Sequence, residues 1–336
     1  MLTLRCVVPA ALSICALVHS EAMAKAKFAT FDPPGSTYTF ASAINASATV
    51  AGYYVDSNNA EHGFVRTSDG TITTIDVPGA SDTEAEALND GGVVIGWFYE
   101  SGLQYCFIRA TDGTFTTFDP SNGAALFDHA TGITSKGVIA GYFQLTGSRH
   151  EYDAYVRDAQ GNVTVVNPGG AEFAAAEAIN SRDGITGSYA PTDGPVHGFV
   201  RTRKGKVATF DVSGDTNGTM PADINAKGWV TGYDMDGNDI EHGFVRSPDG
   251  TITAFDPSGS TSTQASGINA AGAVTGNYFS DDAYHGFVRA ADGTVTSFDV
   301  PGGTTGTVPL GINDKGAVTG WFEDSDHVVH GFLRTP

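Results

Sequence analysis

Apolar and polar residues alternate on both sides of the short turn Ser68-Asp69-Gly70, and this pattern predicts a β-hairpin. The flanking runs are rich in β-branched and aromatic residues, and glycine ends the turn, as a three-residue hairpin loop requires. Such a loop fixes the register, because residues pair in order outward from it. We therefore expect Arg66 to lie opposite Ile72 and His62 to lie opposite Asp76.

Copies of this hairpin recur at intervals of 43 to 48 residues, measured at the Asp or Asn that follows each fourth strand. The aligned residues are Asp32, Asp76, Asp119, Asn167, Asp211, Asp256 and Asp299. A period of this length is typical of propellers and solenoids. Two further short apolar runs precede each hairpin, and no helical periodicity follows residue 24. The pattern therefore predicts four antiparallel strands in every repeat.

The predicted fold is all-β, a seven-bladed β-propeller of four-stranded antiparallel blades that residues 25–336 form as a single domain. The chain begins, after residue 24, with a lone fourth strand at residues 28–32, and it ends with a lone third strand at residues 330–334. Pairing the N-terminal strand with the last blade would close the ring and leave no open sheet edge. Asp32 is then expected to face His330.

The same register places a histidine opposite an aspartate in several repeats. The pairs are His62–Asp76, His197–Asp211, His242–Asp256 and His285–Asp299. In the third repeat the histidine position is Asp153, and the facing residue is Asn167, which avoids a like-charge pair. These pairs are interpreted as structural clamps of the hairpin, since several equivalent catalytic dyads in one ring would be unusual.

The first 24 residues differ from the rest of the chain and are typical of a signal peptide. Arg5 precedes an apolar run, and Ala22-Met23-Ala24 fits a cleavage site after Ala24. The mature protein would then be secreted or periplasmic. Cleavage would leave Cys106 as the one cysteine, so no intramolecular disulfide is expected.

Charge excludes several classes of partner. The formal net charge of −20 repels nucleic acid and anionic lipid surfaces. No segment after the signal peptide is apolar enough to insert into a membrane. A monomer that binds neither nucleic acid nor membrane is therefore expected.

The recurring motif Ile-Asn-x-x-Gly-x-Val-x-Gly followed by His-Gly-Phe, as at residues 312–320 and 330–332, resembles the HAF-family repeats of bacterial extracellular proteins. That family more usually has His-Ala-Phe at the third strand. The sequence departs further at Tyr105-Cys106-Phe107 and Asp153-Ala154-Tyr155. The resemblance covers the whole mature chain and implies a secreted bacterial repeat protein, but it brings no catalytic set.

Polar residues that break the repeat near the first strands are the candidates for catalysis. They are Glu84, Glu86, His129, Glu177 and Asp223. Carboxyl and imidazole groups in one cleft can exchange protons with a substrate. Uneven lining of a propeller channel is the alternative interpretation.

Aromatic residues that follow the second-strand glycine are candidates for stacking on sugars, with packing between blades as the alternative. The ligand-binding candidates are Tyr53, Trp97, Tyr142 and Trp321. Asp234, Asp236 and Asn238 place oxygens at alternate positions, like the first half of a calcium loop. The second half is missing, so a polar hairpin turn is the alternative, and Ca²⁺ is the one cofactor considered.

The function predicted is that of an exported binding or scaffold propeller for a glycan, a cell-surface component or a protein, with no catalysis evident. The connections that vary in length and carry most of the acidic residues should lie on one face, around the channel mouth. A secreted hydrolase or lyase with its site at that acidic mouth is the alternative.

Overall fold

The computed structural model describes residues 26–123, 125–145, 152–212 and 217–336, and it consists of β-strands and short turns. The predicted signal peptide lies outside these residues. Within the described ranges one 3-10 turn occurs, at Pro168–Gly170. No described segment is a helix of the length and hydrophobicity needed to cross a bilayer.

The described strands number 28 and fall into seven successive repeats. Repeat 1 contains β2 (Ser36–Ile44), β3 (Val50–Asp56), β4 (Glu61–Arg66) and β5 (Ile72–Ile75). Repeat 2 contains β6 (Asp82–Leu88), β7 (Val94–Glu100), β8 (Leu103–Arg109) and β9 (Phe115–Phe118). Repeat 3 contains β10 (Ala125–Ile133), β11 (Ile139–Leu145), β12 (Tyr152–Arg157) and β13 (Val163–Val166). Repeat 4 contains β14 (Phe173–Ile179), β15 (Ile185–Ala190), β16 (His197–Arg201) and β17 (Val207–Phe210). Repeat 5 contains β18 (Gly218–Ile224), β19 (Val230–Met235), β20 (Glu241–Arg246) and β21 (Ile252–Phe255). Repeat 6 contains β22 (Ser262–Ile268), β23 (Val274–Ser280), β24 (Ala283–Arg289) and β25 (Val295–Phe298). Repeat 7 contains β26 (Gly306–Ile312), β27 (Val318–Glu323), β28 (Val329–Thr335) and the N-terminal β1 (Lys27–Phe31).

Strands within each repeat pair antiparallel in the order first, second, third and fourth. The hairpin register is the one predicted, with Arg66 opposite Ile72. The predicted pairing of the chain ends is also observed, since β1 pairs with β28 and places Phe28 opposite Arg334. The second strand of each repeat then packs against the first strand of the next, and β27 packs against β2 in the same way.

The sheets are less separate than the prediction of independent four-stranded blades implies. The strands form five sheets, of which two have eight strands. A single parallel pair, Tyr152 with Phe173, joins repeats 3 and 4, and Tyr284 with Gly306 joins repeats 6 and 7. In these two places the third strand of one repeat, β12 or β24, therefore pairs with the first strand of the next, β14 or β26.

A β-bulge near the end of each first strand explains the glycine of the second strand. In repeat 1 the register shifts between Ala41 and Ala43, which leaves Ser42 unpaired. The shift moves the carbonyl oxygen of Phe40 over Gly52, where a Cβ atom would lie 2.0 Å from it. The corresponding distance is between 1.9 and 2.1 Å in all seven repeats. Only glycine admits so close an approach of the backbone.

The aromatic residue of the His-Gly-Phe motif forms the core of each repeat. The side chains at this position have no exposed surface, and they are Phe64, Phe107, Tyr155, Phe199, Phe244, Phe287 and Phe332. Burying one such ring stabilises the fold by roughly 1.5–3 kcal/mol. Tyr155 also satisfies its hydroxyl group, which donates to the carbonyl oxygen of His129 at 3.0 Å.

Arginines of the third strands connect neighbouring repeats. Arg66 lies over the ring of Phe31 at 4.8 Å and so links repeat 1 to the N-terminal strand of repeat 7. Four more arginines stack in the same way on a phenylalanine of the preceding repeat, in the pairs Arg157–Phe118, Arg246–Phe210, Arg289–Phe255 and Arg334–Phe298. Each contact combines apolar packing with a cation–π attraction.

The predicted histidine–aspartate pairs are present. The Nδ1 atom lies 2.9 Å from the facing carboxylate in the pair His62–Asp76 and 2.8 Å from it in His330–Asp32. In repeat 3 the Nδ2 atom of Asn167 donates to Asp153 at 3.1 Å. These pairs lie at the outer rim and are partly exposed, and together with Asn167–Asp153 they join the third and fourth strands of six repeats.

Asparagines at the ends of the first strands form a chain of hydrogen bonds around the axis. The Nδ2 atom of Asn313 donates to the carbonyl oxygen of Asn45 at 3.0 Å, and this bond connects repeat 7 to repeat 1. The same bond joins Asn45 to Asn89, Asn89 to Thr134, Asn180 to Asn225, Asn225 to Asn269 and Asn269 to Asn313. Repeat 3 has Thr134 at this position, and a threonine has no amide to donate.

Placing asparagine in repeat 3 and threonine in repeat 5 at this position should change the free energy of unfolding in opposite directions. We expect Thr134→Asn to raise the free energy of unfolding by about 1 kcal/mol, because its amide would complete the chain toward the carbonyl oxygen of Asn180. We expect Asn225→Thr to lower it by a similar amount, since it removes the bond to Asn269. Urea denaturation of both variants measures this. Equal midpoints for the two variants would contradict a structural role for the chain.

Candidate functional site

The bulged residues of the first strands are Ser42, Glu86, Thr131, Glu177, Ala222, Ser266 and Leu310. Five of them line one cavity of the central channel, and Glu177 lines a second. The seventh, Thr131, donates its hydroxyl group to the carbonyl oxygen of Ala176 at 2.8 Å. Because a bulged residue has no partner in the ladder, its side chain varies without disturbing the pairing. Two of the seven carry a carboxyl group, and they come from repeats 2 and 4.

One cavity at the channel mouth brings together two predicted catalytic residues and two predicted ligand-binding residues. This Glu84 cavity has a volume of about 570 Å³ and is lined by Glu84, Glu86, Tyr53, Trp321 and Tyr233, among others. The ring of Phe40 stacks on Tyr53 with a centroid distance of 4.9 Å. Aromatic faces and carboxyl groups therefore share one wall of the channel.

A second cavity contains the remaining two aromatic candidates. This His129 cavity has a volume of about 540 Å³ and is lined by His129, Glu177, Trp97 and Tyr142, among others. The imidazole of His129 stacks on Tyr142 at 4.9 Å. Trp97 donates from Nε1 to Glu86 at 3.1 Å and so links the two cavities. The aromatic candidates thus stack within and across repeats and also face the cavities.

Burial within the channel disfavours charge on its titratable groups. Desolvation and the neighbouring Glu86 raise the pKa of Glu84 well above its ordinary value, and desolvation raises the pKa of Glu86. Desolvation and then Glu86 raise the pKa of Glu177 to about 7. Desolvation lowers the pKa of His129 to about 4, so its imidazole is neutral at pH 7. At pH 7 the Glu84 carboxyl group is therefore protonated, and it can both donate and accept hydrogen bonds.

Asp223 does not join the other four catalytic candidates. Its two carboxylate oxygens accept hydrogen bonds from the backbone N–H groups of Ile224 at 2.7 Å and Ile268 at 2.8 Å. The second bond connects repeats 5 and 6. Burial nevertheless raises the pKa of Asp223 to about 6. Its contacts are those of a residue that joins two first strands.

Two of the three predicted metal ligands, Asp236 and Asn238, belong to a hairpin turn, and Asp234 lies in β19. The Oδ1 atom of Asp236 accepts the backbone N–H groups of Asn238 at 2.8 Å and Ile240 at 3.0 Å. Asp56 caps the corresponding turn of repeat 1 in the same way. Asp234 is buried opposite His242. The described residues include no group of three His, Cys, Asp or Glu side chains placed to hold a metal, and Ca²⁺ binding by Asp234, Asp236 and Asn238 stays a prediction.

The sequence interpretation did not identify Phe40 and Gln264 as parts of the channel wall, although both line the Glu84 cavity. Both residues lie two positions before the bulged residue of their strand, as Glu84 and His129 do, and this position could have identified them. A bulge cannot be located from apolar alternation alone. The invariant second-strand glycine is the sequence mark that indicates it.

Comparison with known proteins supports the fold. No protein-family model and no curated protein sequence matches the chain. Among solved structures, a streptogramin B lyase is similar with a TM-score of 0.63 and 15% sequence identity, covering 93% of this chain and 98% of the lyase. The chain has a β-propeller fold.

Two further solved structures with similar folds are a protease domain and a lectin. The β-propeller domain of the Trilobed protease from Pyrococcus furiosus has a TM-score of 0.60 and 11% identity, covering 89% of this chain and 95% of that domain. A lectin from Burkholderia pseudomallei has a TM-score of 0.58 and 11% identity, covering 90% of this chain and 98% of the lectin. At these identities the similarity concerns the fold alone.

The raised pKa of Glu177 should make its contribution to stability depend on pH. Between the ordinary value of 4.5 and the folded value of about 7, the unfolded chain loses this proton while the folded chain keeps it. Unfolding therefore becomes easier as pH rises through that window. We expect the melting temperature of Glu177→Gln, relative to wild type, to increase between pH 4.5 and 7.5.

Thermal melts over this range measure the effect, with Glu100→Gln as the control because Glu100 is exposed at the end of β7. The control should follow the wild type at every pH. A difference between Glu177→Gln and wild type that does not change with pH would contradict the environment described for this carboxyl group.

Proposed function

We propose that the protein is a closed seven-bladed β-propeller that binds a neutral, hydroxyl-rich glycan at the channel mouth. The pairing of β1 with β28 and the hydrogen bond from Asn313 to Asn45 support closure, because both connect repeat 7 across the chain ends. The observation that carries the binding proposal is the Glu84 cavity, where carboxyl groups and aromatic faces line one space.

A sugar ring suits this lining. Its hydroxyl groups are donors and acceptors, and a protonated Glu84 can serve as either partner. Its C–H face packs on aromatic rings, which Tyr53 and Trp321 present in the same cavity. The volume of about 570 Å³ lies within the range of about 300–1,000 Å³ that is usual for ligand pockets.

Electrostatics favours a neutral glycan over an acidic one at this end of the channel. Glu84, Glu86 and Glu177 line the two cavities, and the whole chain has a net charge of −20. The charge of an anionic sugar would be poorly solvated here, and no lysine or arginine lines either cavity to pair with it.

Export to the periplasm or the exterior completes the proposal and rests on the sequence of residues 1–24 and on the resemblance to HAF-family repeats. A glycan ligand is compatible with that location. The binding role does not depend on it, because the cavities are built from residues of the mature chain.

Truncating the aromatic face should weaken binding. We expect the mature protein to retain neutral oligosaccharides on a glycan array and Trp321→Ala to lower the affinity for the best of them about tenfold, the equivalent of ~1.4 kcal/mol. Isothermal titration gives the affinities. Tyr284→Ala is the matched control, since Tyr284 is an exposed aromatic residue that lines neither of the two cavities.

Absence of any retained neutral glycan would overturn the proposal. It would also fail if Trp321→Ala and Tyr284→Ala both bound the best glycan with the affinity of the wild type.

One observation favours a lyase or hydrolase as the second candidate. His129, neutral at pH 7, and Glu177, with a pKa of about 7, line the same cavity, and such groups can exchange a proton with a substrate. Mass spectrometry of the bound glycans after incubation separates the two functions. Product formation that Glu177→Gln abolishes, while binding persists, would favour the enzyme.

A further inference from the structure

A basic groove lies between repeats 4 and 5, at the end of the fold opposite the channel mouth. It has a volume of about 700 Å³ and is formed by the turns that join first to second strands and third to fourth strands. Its cationic residues are Arg182, Arg201, Arg203, Lys204, Lys206, Lys227 and Arg246. These are seven of the 18 lysines and arginines in the chain, and no aspartate or glutamate lines the groove.

The internal repeats indicate which of these cations the fold does not require. Arg201 and Arg246 occupy the third-strand arginine position that recurs in every repeat. Lys204 instead stands where four of the other five turns between third and fourth strands have an aspartate. That aspartate accepts the N–H group of the residue two positions later, as Asp69 does from Thr71 at 3.0 Å. In repeat 4 this turn-stabilising carboxylate is replaced by a cation.

The remaining cations are exposed and come from neighbouring turns. Arg203, Lys204 and Lys206 belong to one turn, and Arg182 and Lys227 belong to the adjacent first-to-second turns. One acidic residue is close, since Asp183 lies 3.3 Å from Arg203. Asp183 also lies 3.6 Å from Lys136 outside the groove, so it offsets at most one of the seven cationic charges.

An exposed tryptophan extends the groove. Lys227 lines both the groove and an adjoining cavity of about 330 Å³ that contains Trp229. The side chain of Trp229 is 37% exposed. The corresponding residues of the other repeats are Thr49, Val93, Val138, Gly184, Ala273 and Ala317, none of them aromatic. Cations and a stacking surface that the repeat does not require therefore occur side by side.

We infer that this groove is a second binding site and takes an anionic polysaccharide, whose carboxylate or sulfate groups contact Arg203, Lys204 and Lys227 while a sugar ring stacks on Trp229. Guanidinium groups bind carboxylate and sulfate oxygens through paired N–H donors. The aliphatic stems of lysine and arginine provide apolar surface for sugar C–H groups between the charges. The site is independent of the channel mouth and of the function proposed there.

Other polyanions fit these features less well. Duplex DNA carries one charge per roughly 1.7 Å and needs contacts over a long basic surface, whereas the cations described here lie in a groove between two repeats. Single strands are held by successive aromatic platforms, and Trp229 is the one exposed tryptophan of the two cavities.

Biolayer interferometry with immobilised polygalacturonate and dextran sulfate tests the inference, and neutral dextran is the control ligand. We expect both charged polymers to bind, neutral dextran not to bind, and the affinity to fall steeply with added NaCl. The stronger of the two charged polymers identifies carboxylate or sulfate as the preferred group.

Lys204→Asp is the decisive variant, because it restores the residue that the other turns carry. We expect it to lower the affinity for the charged polymers about tenfold, the equivalent of ~1.4 kcal/mol, while the melting temperature stays equal or rises. Trp229→Ala should also weaken binding. Lys315→Ala should not, since Lys315 is an exposed cation of repeat 7 outside the groove.

Binding of the charged polymers that Lys204→Asp and Lys315→Ala leave equally unchanged would overturn the site. Binding no stronger than that of neutral dextran would overturn the ligand class. Tighter binding to single-stranded DNA or to phosphatidylglycerol vesicles than to either polysaccharide would also overturn it.

Discussion

The extra residue in every first strand determines both the backbone and the channel of this protein. The bulge moves one carbonyl oxygen over the second strand and makes glycine obligatory there, with only 1.9 to 2.1 Å available to a Cβ atom. The same bulge turns the unpaired side chain toward the axis, as it does for Glu86 and Glu177. One local irregularity therefore fixes the strand packing and leaves the channel lining free to differ between repeats.

Contacts between repeats explain how such variation is tolerated. Asn45 and its counterparts join first strands near the axis, and arginines such as Arg66 join neighbouring repeats farther out. Neither set of contacts uses the channel side chains. Glu84, Glu86 and Glu177 can consequently accumulate in the channel although their burial disfavours charge, which is the usual condition of a functional site rather than of a stabilising one.

The sequence predicted the repeats, the hairpin register and the pairing of the chain ends, because each depends on local alternation and turn chemistry. His330 and Asp32 were matched by counting from a three-residue turn, and they lie 2.8 Å apart. The candidates Glu84 and His129 were found because they break the repeat. Their separation into two cavities depends on bulges and on the curvature of the sheets, which alternation does not encode. The groove around Lys204 was missed because its turns have the length of all the others and differ only in charge.

The central claim is that contacts across the chain ends hold the first strands, and so the channel, in place. Hydrogen–deuterium exchange of a chain that begins at Pro33 tests this most directly, since it lacks β1 and its pairing with β28. The account predicts faster exchange in β28, and also in β26 and β2, whose packing against each other depends on repeat 7 being complete. Exchange in β26 and β2 equal to that of a chain that retains β1 would contradict it.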